Sequence, residues 1–436
     1  MEKNLQEFNQ SLLAFIAASP SPFHATKVMS EALAKVGFVP LREQDDWQLM
    51  PNQGYFVTRN ESSIIAFHTG QDLGFSTGIR MVGAHTDSPC LKIKPNPELG
   101  SHGCQRLAVE VYGGVLLGTW FDRDLSLAGR VTYQMTSGEV ASVMIDIGDP
   151  IAHVPSLAIH LDRKANENRT IQRQKELNLV LAVSDEKQSF RDFLLEYITD
   201  HHDDVLNVER VLDYEIYAYD TQRPAITGLK KDFVSSARLD NLLSCFIGLE
   251  ALINANSDQA VMLICTDHEE VGSQSACGAQ GSFLRDLLER LSESKQHMSQ
   301  VMATSMMVSV DNAHALHPNF PDAHDGNHGP KINAGPVIKM NANQRYATNS
   351  ETAARFRAFA SEASVPTQTF VVRNDMGCGS TIGPISASEV GVATVDVGCP
   401  QWGMHSIRET AGSKDAAGLL KVLQAFYRFD KPLSSV

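Results

Sequence analysis

The feature that most constrains the fold of this chain is an apolar run that ends in a pair of adjacent carboxylates. Residues 260–265 are all apolar, and the polar residues 266–268 then lead to Glu269 and Glu270. Such a run predicts a buried strand. Adjacent glutamates that leave a strand face different ways, so one can bind a divalent metal while its neighbour accepts a proton from a water that the metal activates. A solvated turn is the alternative, because Gly272 suits a plain loop.

The composition is that of an ordinary globular protein and argues against two classes of partner. A chain of 436 residues predicts two or three domains, and its 43% hydrophobic content is enough for a substantial core. The formal net charge of −14, without a local cluster of lysine and arginine, would repel phosphate backbones and anionic lipid. We therefore expect no nucleic-acid partner and no membrane-surface partner.

The N-terminus and the cysteines predict a soluble, cytoplasmic protein. Residues 1–20 carry two glutamates and an amphipathic pattern, which favours a surface helix over a signal peptide. No stretch approaches the roughly 18 uninterrupted apolar residues that a membrane span needs. The seven cysteines are odd in number, scattered and without a Cys-x-x-Cys pair, which fits reduced thiols.

A change in the hydrophobic pattern along the chain predicts an α/β domain with a β-rich insertion. Helical periods appear at 239–253 and 419–427, and strand-like runs appear at 79–84, 306–310 and 392–397. The intervening stretch is rich in alternating or β-branched segments, which lie at 107–112, 131–135, 140–147, 177–183 and 214–219. We therefore assign residues 1–90 and 233–436 to an α/β catalytic domain, and residues 91–232 to an inserted β-rich domain.

Histidine and acidic side chains also stand where other predicted elements begin or end. His85 and Asp87 close the first strand, Asp240 begins a helix, Asp311 follows a strand, and His405 follows the last strand and a turn. Open α/β sheets gather ligands at such strand ends, and an Asp beside a metal-binding His commonly orients it. The ordinary alternatives are a loop histidine at His85 and, at Asp240, a first-turn carboxylate that the helix dipole stabilises.

Together with the glutamate pair, these residues supply the donors of a two-metal hydrolase. Apart from Asp87, which would orient His85, they comprise two histidines, two aspartates and two glutamates. Such a set without cysteine suits an open catalytic site for zinc, with cobalt or manganese as alternatives. The sequence has no phosphate loop, no Gly-x-Ser-x-Gly elbow and no His-Glu-x-x-His motif, which argues against nucleotide hydrolysis, serine hydrolysis and a thermolysin-like route.

Several segments resemble the M18 metallopeptidases, the aspartyl aminopeptidases. The resemblance covers essentially the full length and rests on residues 83–89, 237–241, 267–273, 311–315 and 404–409, with further matches at 157–161, 335–339, 344–347 and 378–384. It implies a mixed-sheet dimetal peptidase domain, an inserted dimerisation domain, a homododecamer built from dimers, and removal of N-terminal Asp or Glu from peptides.

The resemblance also implies a role for each matching residue. Asp240 would bridge two divalent metals, His85 and Asp311 would complete one, and Glu270 and His405 would complete the other. The remaining positions would act on the substrate or the chemistry: Glu269 as general base, Asp87 beside His85, and the substrate-binding residues His160 (reaching an active site across a dimer contact), Lys339 (meeting the substrate's acidic side chain), Tyr346 and Gly379.

Two other functions stay open on the sequence. A related dimetal deacylase or carboxypeptidase could use the same ligands, and it would differ in not requiring a free α-amino group. A metal-stabilised assembly protein is the non-enzymatic alternative, and Glu269 argues against it because a structural metal site needs no base.

Overall fold

The computed structural model describes residues 2–184, 188–203, 205–255 and 257–433. Its helices are α1 Glu2–Ala17, α2 Pro22–Lys35, α3 Arg173–Glu176, α4 Phe190–His201, α5 Leu239–Ile253, α6 Phe283–Leu291, α7 Lys295–Ala303, α8 Ser350–Glu362, α9 Ile382–Val390 and α10 Asp415–Arg428. Short 3₁₀ turns lie at Leu117–Thr119, Glu269–Val271 and Pro321–Ala323.

The strands are β1 Val39–Leu41, β2 Gly54–Arg59, β3 Ser63–His68, β4 Arg80–His85, β5 Cys90–Ser101, β6 Cys104–Tyr112, β7 Leu125–Met135, β8 Val140–Asp146, β9 Leu179–Ala182, β10 Val208–Asp220, β11 Ala225–Thr227, β12 Phe233–Ser236, β13 Val261–Thr266, β14 Met306–Val310, β15 Ala313–His314, β16 Val337–Lys339, β17 Gln368–Phe370, β18 Ala393–Gly398, β19 Pro400–Trp402 and β20 Glu409–Gly412. The predicted α/β fold class is confirmed. None of the described helices is long and apolar enough to span a membrane.

The chain divides into two compact units. Unit 1 comprises Met1–Ser88, Pro224–Met404 and Glu409–Val436, and unit 2 comprises Pro89–Arg223 and His405–Arg408. Residues 224–232, which the sequence analysis gave to the insertion, lie in unit 1 because β11 pairs with β12, and β12 pairs with β20. The short segment around His405 falls in unit 2, although the sequence analysis gave it to the catalytic domain.

Unit 1 is built around a mixed sheet whose described strands run in the order β1-β2-β3-β13-β4-β14-β18-β16-β17. β13, β4, β14 and β18 are parallel neighbours. Side chains alternate across the sheet: Leu263 and Cys265 enter one apolar core, whereas Met262 and Ile264 enter another. Both faces are therefore covered, which explains why β13 reads as a continuous apolar run.

A second sheet of unit 1 has the order β11-β12-β20-β19-β15. It brings the chain after β14 next to the chain after β18, because β15 pairs with β19 in parallel. The predicted strand at 306–310 and the predicted helix at 239–253 are confirmed. The helix is irregular where it begins, since Asp240 and Asn241 have non-helical backbone angles.

Unit 2 contains an antiparallel sheet whose described strands run β8-β7-β10-β5-β6-β9. Its apolar core gathers alternate residues of these strands together with Phe190, Leu194 and Ile198 of α4. The β-rich character predicted for this stretch is confirmed, but α4 is a helix that the sequence analysis did not predict. It buries one apolar stripe on the sheet, and that stripe was hidden among polar residues.

Candidate metal centre and active site

Three parallel neighbouring strands end together and place the candidate ligands of unit 1. His85 is the last residue of β4 and lies beside Thr266, the last residue of β13. Asp311 directly follows β14, the other neighbour of β4. Because parallel strands present their carboxyl ends at one edge of a sheet, residues distant in sequence converge there.

The first cluster is formed by His85, Asp240 and Asp311, all of them buried. Nε2 of His85 lies 3.4 Å from Oδ1 of Asp240 and 3.6 Å from Oδ1 of Asp311. Donor atoms that share a tetrahedral zinc ion at about 2.0–2.1 Å are roughly 3.3–3.4 Å apart. The donor set therefore fits a divalent cation in both chemistry and spacing.

The ring of His85 is held in an orientation that suits metal binding. Its Nδ1 faces the carbonyl oxygen of Asp87 at 3.1 Å, and since that oxygen only accepts, Nδ1 carries the proton and donates it. Nε2 is then directed at the carboxylates of Asp240 and Asp311. Burial alone would lower the pKa of His85, but the carboxylates of Asp240 and Asp311 raise it well above the usual value. Carboxylates that stabilise a proton at Nε2 would also stabilise a cation there.

Asp87 also fixes the turn that carries the two glutamates. Its Oδ1 accepts a hydrogen bond from the backbone N–H of Glu269, and its Oδ2 accepts one from the N–H of Glu270, each at 3.1 Å. Each glutamate offers an oxygen within 4.8 Å of a ring nitrogen of His85. Burial, together with the nearby carboxylates of Asp311 and Glu270, outweighs the opposing effect of His85 and raises the pKa of Glu269 to about 9. A bound cation would favour the ionised form of Glu269.

A buried polar network supports Asp240, and the sequence analysis missed it. The backbone N–H of Asp240 donates to Oε2 of Glu409 at 2.9 Å, and the hydroxyl of Ser88 donates to the carbonyl of Asp240 at 2.6 Å. Gln401 donates to Oε1 of Glu409 and accepts a hydrogen bond from the side chain of Asn312. A buried glutamate at the start of β20 was an available signal, because strands disfavour Glu.

Lys339 and Tyr346 lie on the far side of Asp311. The ammonium of Lys339 donates to Oδ2 of Asp311 and to the carbonyl of Asn312, each at 3.2 Å, and the residue is only 2% exposed. The Nζ atom stands 5.1 Å from the ring centre of Tyr346, within the range of a cation–π contact. Both bonds tie Lys339 to the strand end that carries a candidate ligand.

Gly379 lies in an exposed loop before α9. The loop is joined to the turn before Tyr346, because Ser380 donates to the carbonyl of Arg345 and Arg345 donates to the carbonyl of Cys378. A side-chain carbon at Gly379 would meet open space. The structure therefore places Gly379 at an accessible edge rather than in a tight turn.

His160 and His405 belong to unit 2. His160 is exposed in a loop whose neighbours Ile159 and Leu161 are also exposed. Nδ1 of His405 lies 3.0 Å from the carbonyl oxygen of Gly114, so that Nδ1 donates and Nε2 keeps a lone pair. That tautomer is the one a metal ligand requires.

The chain is similar over almost its whole length to known metallopeptidases. The profile of the family described as aminopeptidase I zinc metalloprotease (M18) matches residues 15–427. A protein of Pseudomonas syringae pv. syringae, named probable M18 family aminopeptidase 2, is 56% identical over 97% of this chain and 98% of its own length.

Two solved structures share the fold. The chain in the Ape4 and Nbr1 complex has a TM-score of 0.93 at 37% identity and matches 97% of this chain and 86% of its own. The mApe1 dodecamer of S. cerevisiae has a TM-score of 0.84 at 28% identity and matches 97% of each chain. The fold is thus that of the metallopeptidases. The chain belongs to the M18 family, and the enzyme is a metalloaminopeptidase.

Proposed function

We propose that the enzyme removes N-terminal aspartate and glutamate from peptides with two divalent cations, zinc first among them, and with Glu269 as general base. The observation that carries the proposal is the arrangement around His85. Two carboxylates face its Nε2 at 3.4 and 3.6 Å, while the glutamate pair is held alongside by Asp87. A site that only stabilised the fold would need no such pair.

The proposed ligands would form two sets, with Asp240 common to both. His85, Asp240 and Asp311 would hold one cation. Asp240, Glu270 and His405 would hold the other, and the contact of His405 with the carbonyl of Gly114 places the proton of the neutral ring on Nδ1. When bound, the cations would supply Lewis-acid chemistry, polarising the scissile carbonyl and increasing the acidity of the attacking water.

Glu269 would carry the proton between the two stages of the reaction. Its carboxylate accepts a proton from the attacking water and then returns that proton to the leaving amine. Asp87 serves this step because its hydrogen bonds to the backbone of Glu269 and Glu270 fix the direction of both side chains. The proposed ligand Glu270 and the proposed base Glu269 are therefore held in fixed positions relative to each other.

Acidic specificity would come from Lys339. An ammonium has three N–H donors, and the bonds to Asp311 and Asn312 use two of them. The third can meet a substrate carboxylate, whereas an apolar side chain would leave the charge without that partner. Tyr346 lies under the ammonium, Gly379 leaves the neighbouring edge open, and His160 would enter the active site of a partner subunit.

We also propose that unit 2 mediates dimerisation and that dimers assemble into a homododecamer. The dodecamer of the yeast relative supports this assembly. The exposed apolar residues beside His160 in unit 2 support the dimer contact. A cytoplasmic location remains a prediction from the cysteine pattern.

The experiment that tests the proposal compares wild-type protein with Glu269→Gln on Asp-, Glu-, Ala- and Leu-leading dipeptides and on an N-acetylated Asp peptide. We expect release of free Asp and Glu that requires the free amine and falls about 10²–10⁴-fold in the variant, with the metal content unchanged. The exposed Glu293→Gln variant is the matched control.

Two outcomes would favour the other functions. Cleavage of the acetylated peptide would indicate a deacylase or carboxypeptidase. Full metal loading without cleavage of any substrate would indicate a structural assembly. Equal activity of wild type and Glu269→Gln would contradict the role of Glu269 as base.

A further inference from the structure

A second cluster of metal-binding side chains lies in unit 1, and the reaction makes no use of it. It consists of Asp267, His268 and Cys277, which flank the loop that carries the two glutamates. One oxygen of Asp267, one ring nitrogen of His268 and Sγ of Cys277 all lie within 4.8 Å of one another. The ligand sets assigned above for the two cations contain none of these three residues.

The backbone holds these three side chains in place independently of their mutual contacts. The N–H of Asp267 donates to the hydroxyl of Ser63 at 2.8 Å, and that hydroxyl donates to the carbonyl of Cys277 at 2.8 Å. Ser63 therefore ties both ends of the loop to the start of β3. His268 has a positive φ of 64°, which turns its side chain away from the regular direction of the chain.

The three side chains lie close together, and two of them are buried. Nδ1 of His268 lies 3.4 Å from Sγ of Cys277, and the other ring nitrogen, Nε2, lies 3.6 Å from Oδ2 of Asp267. A single cation would use only one of these nitrogens, and one ring nitrogen, the sulfur and one oxygen of Asp267 lie within 4.8 Å of one another. Cys277 is 4% exposed and Asp267 is 2% exposed, whereas the side chain of His268 is 23% exposed. A small ion can therefore approach past the imidazole, while larger reagents are excluded from the thiol.

The donor set is that of a zinc site. Zinc binds thiolate at about 2.3 Å, and imidazole or carboxylate at about 2.0–2.2 Å. A sulfur and a nitrogen on one tetrahedral ion are then roughly 3.5 Å apart, close to the 3.4 Å between Cys277 and His268. A thiolate also selects zinc over the harder cations magnesium and calcium. The hydroxyl of Ser275 lies 2.9 Å from Nδ1 of His268 and would have to turn away from that nitrogen for a cation to bind there.

We propose that Asp267, His268 and Cys277 form a third metal site, which takes Zn²⁺ or a similar borderline-soft divalent cation. The cation would join the two ends of segment 267–277, and the Glu269–Glu270 turn lies between those ends. It would thereby restrict the motion of the turn without contacting the substrate. This proposal does not depend on the peptidase mechanism, because the ligands assigned to that mechanism include no cysteine.

The experiment uses Co²⁺ as a spectroscopic probe and also measures the number of zinc ions bound per chain. Cobalt bound to a thiolate gives a charge-transfer band in the near ultraviolet that carboxylate and imidazole ligands do not give. We expect this band in full-length wild-type protein and its loss in Cys277→Ala, together with the loss of one zinc equivalent per chain. Cys104→Ala in unit 2 is the matched control and should keep both the charge-transfer band and the full zinc content.

A second variant guards against a fold defect in Cys277→Ala. His268→Asn keeps a residue that tolerates positive φ but removes the ring donor, so we expect weaker cobalt binding and a weaker band. Absence of the band in wild-type protein at saturating Co²⁺ would overturn the proposal. Persistence of the band in Cys277→Ala, or an unchanged zinc count, would overturn it as well. Failure of the proposed peptidase function would appear separately, as loss of cleavage with the band retained.

Discussion

At the scale of single residues, the site is held by side chains that serve two neighbours at once. Asp87 offers its carbonyl to His85 and its carboxylate to the backbone of Glu269 and Glu270. Glu409 accepts hydrogen bonds from the backbone N–H of Asp240 and from the side chain of Gln401, and Ser88 donates to the carbonyl of Asp240. Partners of this kind fix the orientation of metal ligands, and their removal usually weakens metal binding about 10–100-fold.

At Lys339, an effect on substrate recognition can be measured separately from an effect on the position of Asp311. We expect Lys339→Met to lower kcat/KM for Asp-leading substrates by about 10²–10³-fold, because a buried charge pair is broken. If Lys339 also positions Asp311, the metal dissociation constant will rise about 10–100-fold. Kinetics on the dipeptide panel and metal titration measure the two effects. The exposed Lys421→Met variant is the control, and an unchanged ratio of Asp to Ala cleavage would contradict the recognition role.

At the scale of elements, the sheet brings Asp311 into place through a close backbone contact. A side-chain carbon at Gly398, the last residue of β18, would lie 1.9 Å from the carbonyl oxygen of Asp311. Only a residue without Cβ allows β18 to lie so close to the end of β14.

We therefore expect Gly398→Ala to displace the backbone of Asp311, lowering stability by about 1–3 kcal/mol and metal affinity about 10-fold or more. Thermal unfolding with and without added zinc would measure both. Gly326→Ala, where a Cβ meets open space, is the control. A variant with wild-type metal affinity would show that the strand end can shift without moving the ligand.

The start of α10 carries a pH-dependent contribution to stability. The carboxylate of Asp415 accepts hydrogen bonds from the backbone N–H groups of Asn333 and Gly335, at 2.6 and 3.0 Å. Burial nevertheless raises its pKa from 3.8 to about 6. Since the folded chain binds this proton more tightly, the stability it contributes is complete below about pH 4 and is lost as the pH rises through 6.

Asp415→Asn should remove that dependence. We expect the free energy of unfolding of wild type, relative to the variant, to fall by up to about 3 kcal/mol between pH 4 and 7. Denaturant unfolding at fixed protein concentration across this range measures the difference. Parallel curves for the two proteins would show that Asp415 keeps its ordinary pKa in the folded chain.

At the scale of the whole molecule, we expect assembly to depend on the exposed apolar loop of unit 2. Leu157, Ile159 and Leu161 are 57%, 48% and 75% exposed, and several exposed large apolar side chains within one loop favour an interaction surface. Leu161→Glu would place a charge in the proposed dimer contact, and native mass spectrometry should then show species smaller than twelve chains. Leu229→Glu, at a residue that is even more exposed but lies in unit 1, is the control. A full assembly in the Leu161 variant would place the contact elsewhere.

The sequence by itself determined the elements that depend on local pattern. The apolar run of β13, the strand Met306–Val310 and the helix Leu239–Ile253 were all predictable, because periodicity and burial are properties of neighbouring residues. Candidate ligands were recognisable for the same reason, since each stands where a predicted element begins or ends, or in the turn that follows it. The resemblance to the M18 family then added a role for each of them.

Only the tertiary structure decided what depends on residues distant along the chain. The pairing of β4 with β14 brings His85 within reach of Asp311, and the start of α5 places Asp240 beside the same ring. Pairing of β11, β12 and β20 moves residues 224–232 into unit 1. The support of Asp240 by Glu409, and the meeting of Cys277 with His268, likewise leave no periodic signal. These contacts arise because strand order and loop closure are decided by packing over the whole sheet, which no local pattern encodes.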